Sequence, residues 1–193
     1  MSDKSCSGSL TPTTVAVPIL QTDRLILSGH RLEDFADCLA LWSDPVVTRH
    51  ITGRPSTAEE VWARILRYVG HWAALGYGFW QLRERASGRF VGEVGLADFR
   101  RDLSVGLDGV AEAGWVLAPW AHGQGYAHEA MAAALTWAAD HGHARTMCII
   151  DPDNASSLRL AARLGYREHA RAPYHGSPIV ALVREPGPID YSR

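Results

Sequence analysis

GWVLAPWAHGQGYAHEA, residues 114–130, is the stretch that decides the fold of this 193-residue chain. It begins as a strand. Over residues 109–117, Ala111, Ala113, Trp115 and Leu117 share one face while Glu112, Gly114 and Val116 share the other, the two-residue period of a pleated strand. It ends as a helix, where Ala127, Ala130, Met131, Ala134, Leu135 and Ala138 form a stripe of small apolar residues up to His141-Gly142. Between the two lies the loop His122-Gly123-Gln124-Gly125-Tyr126-Ala127. Backbone N–H groups at a helix start are unpaired and carry the positive end of the helix dipole; glycines beside them leave room for a phosphate. Taken alone, the loop fits an anion cradle and also an ordinary tight turn. Two common phosphate loops are excluded. The third glycine of G-x-G-x-x-G would fall at His128, and no Gly-Lys-Ser/Thr ending is present.

Downstream, TMCII (146–150) is a continuous apolar run, the mark of a strand buried on both faces. Asp151-Pro152-Asp153-Asn154 then opens a short helix over 155–164 that stops at Gly165. Asn154 and Ser156 suit its cap. Two more strands are expected around 166–172 and 179–184. Upstream, a strand over 23–30 precedes a helix carrying Leu32, Phe35, Leu39 and Trp42, which stops at Ser43-Asp44-Pro45. A second helix is capped by Ser56 or Thr57, with Glu59 and Glu60 in its first turn, and ends at Gly76. Its expected stripe is Val61, Ile65, Val69 and Trp72, with Trp62 and Leu75 alongside and Arg64, Arg67 and His71 on other faces. Strands over 78–85 and 89–99 pair as a hairpin through Ala86-Ser87-Gly88. No repeat or linker interrupts the series. The expectation is one α/β domain on a mixed sheet, framed by a flexible leader (1–20) and a short tail (187–193).

Composition narrows the function. With 47% hydrophobic and 21% charged residues the chain is globular, and 19 basic against 21 acidic residues leave no basic surface for general nucleic-acid binding. No apolar stretch approaches the roughly 20 residues of a membrane span. Cys6, Cys38 and Cys148 have spacings that no metal site uses, and His122/His128 and His141/His143 form no ligand set, so no metal is expected. Reduced cysteines and a cytoplasmic location follow as expectations. Seven tryptophans remain unusual in so small a protein.

The two glycine-bearing segments, in this order, resemble the GCN5-related N-acetyltransferase (GNAT) superfamily over about residues 22–184, and most closely its ribosomal-protein N-terminal acetyltransferase (RimJ/RimL-like) group. The resemblance implies an α+β fold with a mixed, mostly antiparallel sheet of about seven strands and about four helices. It also implies transfer of acetyl from acetyl-CoA, as co-substrate, to a primary amine. His122, Gly123, Gln124, Gly125, Tyr126 and Ala127 match the family's pyrophosphate loop, with His122 departing from the usual Gln or Arg. Trp115, Val116 and Leu117 match the strand that pairs with the pantetheine arm, its amides polarising the thioester carbonyl. Asn154 and Ser157 fall on the family's N-x-x-S pattern before Leu164-Gly165-Tyr166, where Arg163 replaces a lysine. The tyrosine acid of many relatives is Ala161 here, so Ser157, or water, becomes the candidate that protonates the leaving thiolate.

The nucleophile must be uncharged, and an α-amine has a pKa of only about 7.7–8.0. Glu112 is the first candidate base and Glu93 the second; an exposed or salt-bridged strand carboxylate is the plain alternative for each. Glu129 reads as structural. Tyr174 and His175, in the final hairpin, border the acceptor side. A protein or peptide N-terminus is the favoured acceptor, with a small amine (aminoglycoside, polyamine or amino acid) or a non-catalytic acyl-CoA-binding module as alternatives. Few acidic residues lie between Trp42 and Trp80, and the tryptophans there suggest an apolar acceptor pocket. A monomer or homodimer is expected.

Overall fold

The hairpin turn at residues 86–88 forms where expected, and the rest of the sheet grows from it. In the computed structural model, which describes residues 16–187, β1 (Leu20–Gln21) and β2 (Leu25–Gly29) lead into a 3₁₀ turn and α1 (Phe35–Trp42). Next come α2 (Pro45–Thr48), α3 (Ala58–Leu75), β3 (Phe79–Glu84), β4 (Phe90–Ala97) and β5 (Ala111–Leu117). The chain finishes with α4 (Tyr126–Asp140), β6 (Thr146–Ile150), α5 (Ala155–Arg163), β7 (Arg167–Tyr174) and β8 (Ser177–Arg184). The eight strands form one sheet in the order β1-β2-β3-β4-β5-β6-β8-β7. Every neighbouring pair is antiparallel except β5 with β6.

Alternation along the strands divides two layers of packing. Leu27, Trp80, Leu82, Val91 and Val94 meet the α4 stripe of Ala130, Met131, Ala134, Leu135 and Ala138. Phe90 and Val116 point the other way, toward Cys38, Leu41, Trp42, Val61 and Ile65 of α1 and α3. The small α4 residues let that helix lie close on the sheet, and each large side chain fully buried there contributes roughly 1.5–3 kcal/mol. None of the helices among the described residues is long and apolar enough to cross a membrane.

Three expectations need correction. The sheet has one strand and the fold one helix more than expected; β1 has two residues and α2 four, too short to show a period. Second, α3 buries Val61, Ile65, Tyr68, His71 and Trp72 while Val69, Trp62 and Leu75 stay exposed. At 100° per residue Tyr68 returns almost under Val61, whereas Val69 has rotated off the stripe. Its N-terminus is a capping box between Thr57 and Glu60. Third, the leader is not free up to residue 20. Trp80 Nε1 donates to Pro18 O at 2.8 Å, and a Cβ on Gly29 would strike Val17 at 2.8 Å. Residues 1–15 and 188–193, including Cys6, lie outside the described residues.

Candidate active site

A gap in the sheet organises the site. β5 and β6 pair only at Ala111↔Thr146 and Glu112↔Met147 and then part, while β6 stays paired to β8 and β5 to β4. Ala118 N–H donates to Val91 O at 2.9 Å, in register with the β4–β5 ladder. By antiparallel alternation, the amides of Glu112, Gly114 and Val116 turn to β4, and those of Ala113, Trp115 and Leu117 turn to the gap. The Val116 amide is thus not a gap donor; its side chain packs on the α1/α3 side. His122 Nε2 donates to Leu117 O at 2.9 Å, which fixes the turn out of β5. A strand edge without a strand partner is a template for an extended ligand.

The loop after β5 is preorganised. Gly123 and Gly125 have φ of +73° and +81°, a region that residues with a Cβ seldom enter. Gly125 is the N-cap of α4 and supplies no side-chain cap to the first amides of that helix. A Cβ on Gly123 would meet nothing within 4 Å. Around this opening the loop is pinned. Gln124 Nε2 donates to Trp120 O at 2.5 Å, and Arg24 Nη1 donates to Gln124 O at 2.9 Å. Arg24 lies 4.4 Å from the Tyr126 ring centroid, and the Tyr126 hydroxyl donates to Glu84. Glu129 accepts from Thr22 Oγ1 (2.6 Å), Arg24 N (2.9 Å) and Arg24 Nε (2.6 Å), tying the β1–β2 turn to the α4 N-terminus. Partial burial opposes its charge, but the Thr22 and Arg24 donors prevail and hold its carboxyl below the usual range.

Across the gap stands the N-terminus of α5. Asn154 caps it, its Oδ1 accepting from Ser157 N at 3.1 Å and Ser156 Oγ at 2.9 Å. Trp115 Nε1 donates to Ser157 Oγ at 3.2 Å, so this hydroxyl accepts from β5 and keeps its own hydrogen to give. Ala161 is fully buried in the core. A feature missed by the sequence reading lies on the opposite side: His50 Nδ1 donates to Asp151 Oδ2 at 2.7 Å. The β5–β6 register, continued along both strands, sets Asp151 level with Val116. A carboxylate holding Nδ1–H leaves Nε2 as the imidazole's acceptor atom. The two residues are 101 positions apart, and no motif joins them.

The geometry favours neither carboxylate as the base. Glu112 lies where β5 and β6 are still paired, about 10 Å of strand from Trp115. Both its oxygens are engaged, by Arg101 Nε at 2.6 Å and Nη2 at 2.8 Å, so geometry makes it an ion-pair partner rather than a base at the gap. Glu93 pairs with Val116 across the sheet and is fully buried. Its oxygens accept from Trp42 Nε1 (2.9 Å) and His30 Nε2 (3.3 Å). Burial would raise its pKa, yet His30, Trp42 and the nearby Arg64 outweigh that and lower it. Such a carboxylate is a poor proton acceptor. His30, Cys38 and Glu93 are the one group among the described residues whose donor atoms gather within 4.8 Å, as a metal site requires. Tyr174 accepts from Arg101 Nη1 at 3.1 Å, and His175 occupies the tight β7–β8 turn at φ +48°. Trp42, Trp72 and Trp80 are buried in the core, and the cavity beside α3 is lined by Arg54, Arg64 and Arg67.

Comparison with known proteins places this geometry. Residues 24–167 match the acetyltransferase (GNAT) domain family. A solved GnaT-family acetyltransferase from Bordetella pertussis is 32% identical, with a TM-score of 0.78, covering 87% of this chain and 99% of its own. Protein YkkB of Bacillus subtilis, which is uncharacterized, is 27% identical over 171 residues, 86% of this chain and 95% of its own length. RimL, the ribosomal L7/L12 α-N-protein acetyltransferase, solved in complex with coenzyme A, shares the fold at 15% identity (TM-score 0.72, 88% of this chain and 98% of that one). A β5–β6 gap, an uncapped glycine loop and a matched family model agree: the chain belongs to the GNAT acetyltransferase family.

Proposed function

We propose that this protein acetylates the α-amine of a peptide or protein N-terminus, using acetyl-CoA as donor. The observation that carries the reading is the gap between β5 and β6, which ends at the α4 amides. The groups present fit the cofactor: the helix N-terminus behind Gly125, with no side-chain cap, suits a pyrophosphate, and open space at Gly123 suits its approach. Residues 122–127 would hold the phosphates, the backbone of Trp115 and Leu117 the extended arm, and Asn154 the far wall. When bound, acetyl-CoA supplies an activated thioester.

The chain's own groups do the rest. The gap-facing amides of Trp115 and Leu117 would stabilise negative charge developing on the thioester carbonyl oxygen. Ser157 Oγ–H would donate a hydrogen bond to the departing sulfur, with solvent water restoring to the serine any proton it passes on. His50 Nε2, oriented through Asp151, takes the proton that the amine must lose. An α-amine already half neutral near pH 7.7–8.0 asks little of that base. RimL, which is named for an α-N-protein acetyl transfer, supports the choice of acceptor class.

Incubation with acetyl-CoA and a panel of N-terminal peptides, polyamines and aminoglycosides, read by mass spectrometry, tests the reading. Peptides should be acetylated and the free small amines should not. The opposite pattern transfers the assignment to a small-molecule enzyme. Calorimetric binding of acetyl-CoA without turnover on any amine makes the protein a binding module.

A further inference from the structure

Positive charge gathers on the α1/α3 side of the site. Arg54 is answered by Glu60, at 2.5 and 3.0 Å, and Arg101 by Glu112. Arg64 and Arg67 have no carboxylate within ion-pair distance among the described residues, although they follow each other at i, i+3 on α3. Like charges at that spacing weaken a helix. Arg64 is stacked 3.5 Å from the centroid of the Trp42 ring, and its enclosed Nε has no hydrogen-bond partner. Arg67 reaches out beside Phe99 (5.2 Å), a ring that Arg101 approaches from 4.6 Å. Burial, with Arg64 and Arg101 nearby, presses the Arg67 pKa down, so its cation is held at a disadvantage.

These cations border the reaction centre. Trp42, under Arg64, donates to Glu93, which pairs with Val116 of β5. Between α3 and the segment before it lies a cavity of about 260 Å³ lined by Thr52, Arg54, Ser56, Glu60, Arg64 and Arg67. The same segment carries His50 to Asp151 at the end of β6. A guanidinium that a ring holds flat, with a donor edge unused, is prepared for a carboxylate.

We propose that Arg64 and Arg67 form an acceptor subsite for a carboxylate, so that the amine acetylated belongs to a peptide with Asp or Glu close behind its N-terminus. This rests on the N-terminal acetyltransferase reading above and names its substrate class. The anion takes the direct ion pair that no described carboxylate gives Arg64 or Arg67, and it seats the peptide with its amine toward the gap between β5 and β6. A polycationic amine is repelled by the same groups.

Paired peptides decide it: Ser-Asp-Glu against Ser-Asn-Gln at the N-terminus, otherwise identical. Steady-state kinetics with saturating acetyl-CoA should give the acidic peptide about 10-fold or more higher kcat/KM, carried in KM and reduced by added salt. The preference should vanish in Arg64→Gln/Arg67→Gln, and Arg67→Glu should favour a Ser-Lys-Lys peptide instead. Unchanged coenzyme A affinity by calorimetry shows that the variants are folded. Fluorescence anisotropy of both labelled peptides on the CoA-saturated protein reads the subsite without turnover. Equal kinetics and equal binding for the two peptides overturn the subsite and leave the acetyltransferase reading intact. Tighter acidic-peptide binding without acetylation of any peptide retains the subsite and removes the reading on which its substrate class rests.

Discussion

Replacing Gly125 by alanine should separate the strain of the loop from its capacity to bind a phosphate. Gly125 has φ +81° and caps α4, and Gly142, beyond the other end of the same helix, has φ +88°. An L-residue in this region costs roughly 1–2 kcal/mol, so Gly125→Ala and Gly142→Ala should lose similar stability. At about 2–4 °C per kcal/mol for a domain of this size, both should melt ~2–8 °C lower. The space differs little: a new Cβ at 125 comes to 3.4 Å of Arg24 Nη2, and one at 142 meets nothing within 4 Å. Only the first site should affect the cofactor. Displacing a phosphate from one charge-assisted amide bond forfeits about 1.5–3 kcal/mol, or about 10- to 100-fold in Kd. Calorimetric titration of coenzyme A into the wild type and both variants reads this directly. Gly142→Ala should keep the wild-type Kd. Equal affinities for all three proteins, or equal losses in the two variants, would refute the cradle.

Ser157→Ala should lower kcat by about 10²-fold while leaving coenzyme A affinity nearly intact, since only the proton donor is removed; stopped-flow turnover and calorimetry measure the two parts. His50→Gln should lower kcat by about 10²-fold, whereas Glu112→Gln should leave kcat in place and reduce stability, because it breaks the Arg101 pair. Trp42→Phe removes a 2.9 Å hydrogen bond to a buried charged carboxylate and should cost about 1.5–3 kcal/mol in urea denaturation. The folded-state pKa of Glu129 is depressed, so its contribution is full above the unfolded value of about 4.3 and disappears as pH falls through the folded one. Glu129→Gln should therefore be less stable than wild type at pH 7, and the difference should close toward pH 2.

How much of this the sequence disclosed depends on the range of each interaction. β5, the glycine loop and α4 are written in adjacent residues, and their period and punctuation survive folding. β6, an apolar run between Arg145 and Asp151, matches its expected range residue for residue. A two-residue strand such as β1 leaves no period to read, and the Asp44-Pro45 cap that opens α2 reads equally as the stop of the helix before it. The site was legible only in its local parts. Asn154 capping Ser157 follows from spacing, but Trp115 meeting Ser157, His50 meeting Asp151, and Arg101 claiming Glu112 depend on how separate segments approach. Glu112 attracted attention because it shares a strand with the thioester-facing residues; the structure shows that the strand is paired at Glu112 and open beyond it. Core packing, the plain expectation for most of the tryptophans, holds for Trp42, Trp72 and Trp80, because indoles bury large area when their N–H finds a carbonyl or carboxylate.

The central claim is direct transfer to an α-amine. It is tested most directly by incubating the protein with acetyl-CoA and a peptide bearing both a free N-terminus and an internal lysine, then locating the added group by fragment-ion mass spectrometry. The account predicts acetyl on the N-terminal nitrogen alone. Acetyl on the lysine side chain, or an unmodified peptide in the presence of bound acetyl-CoA, would contradict it.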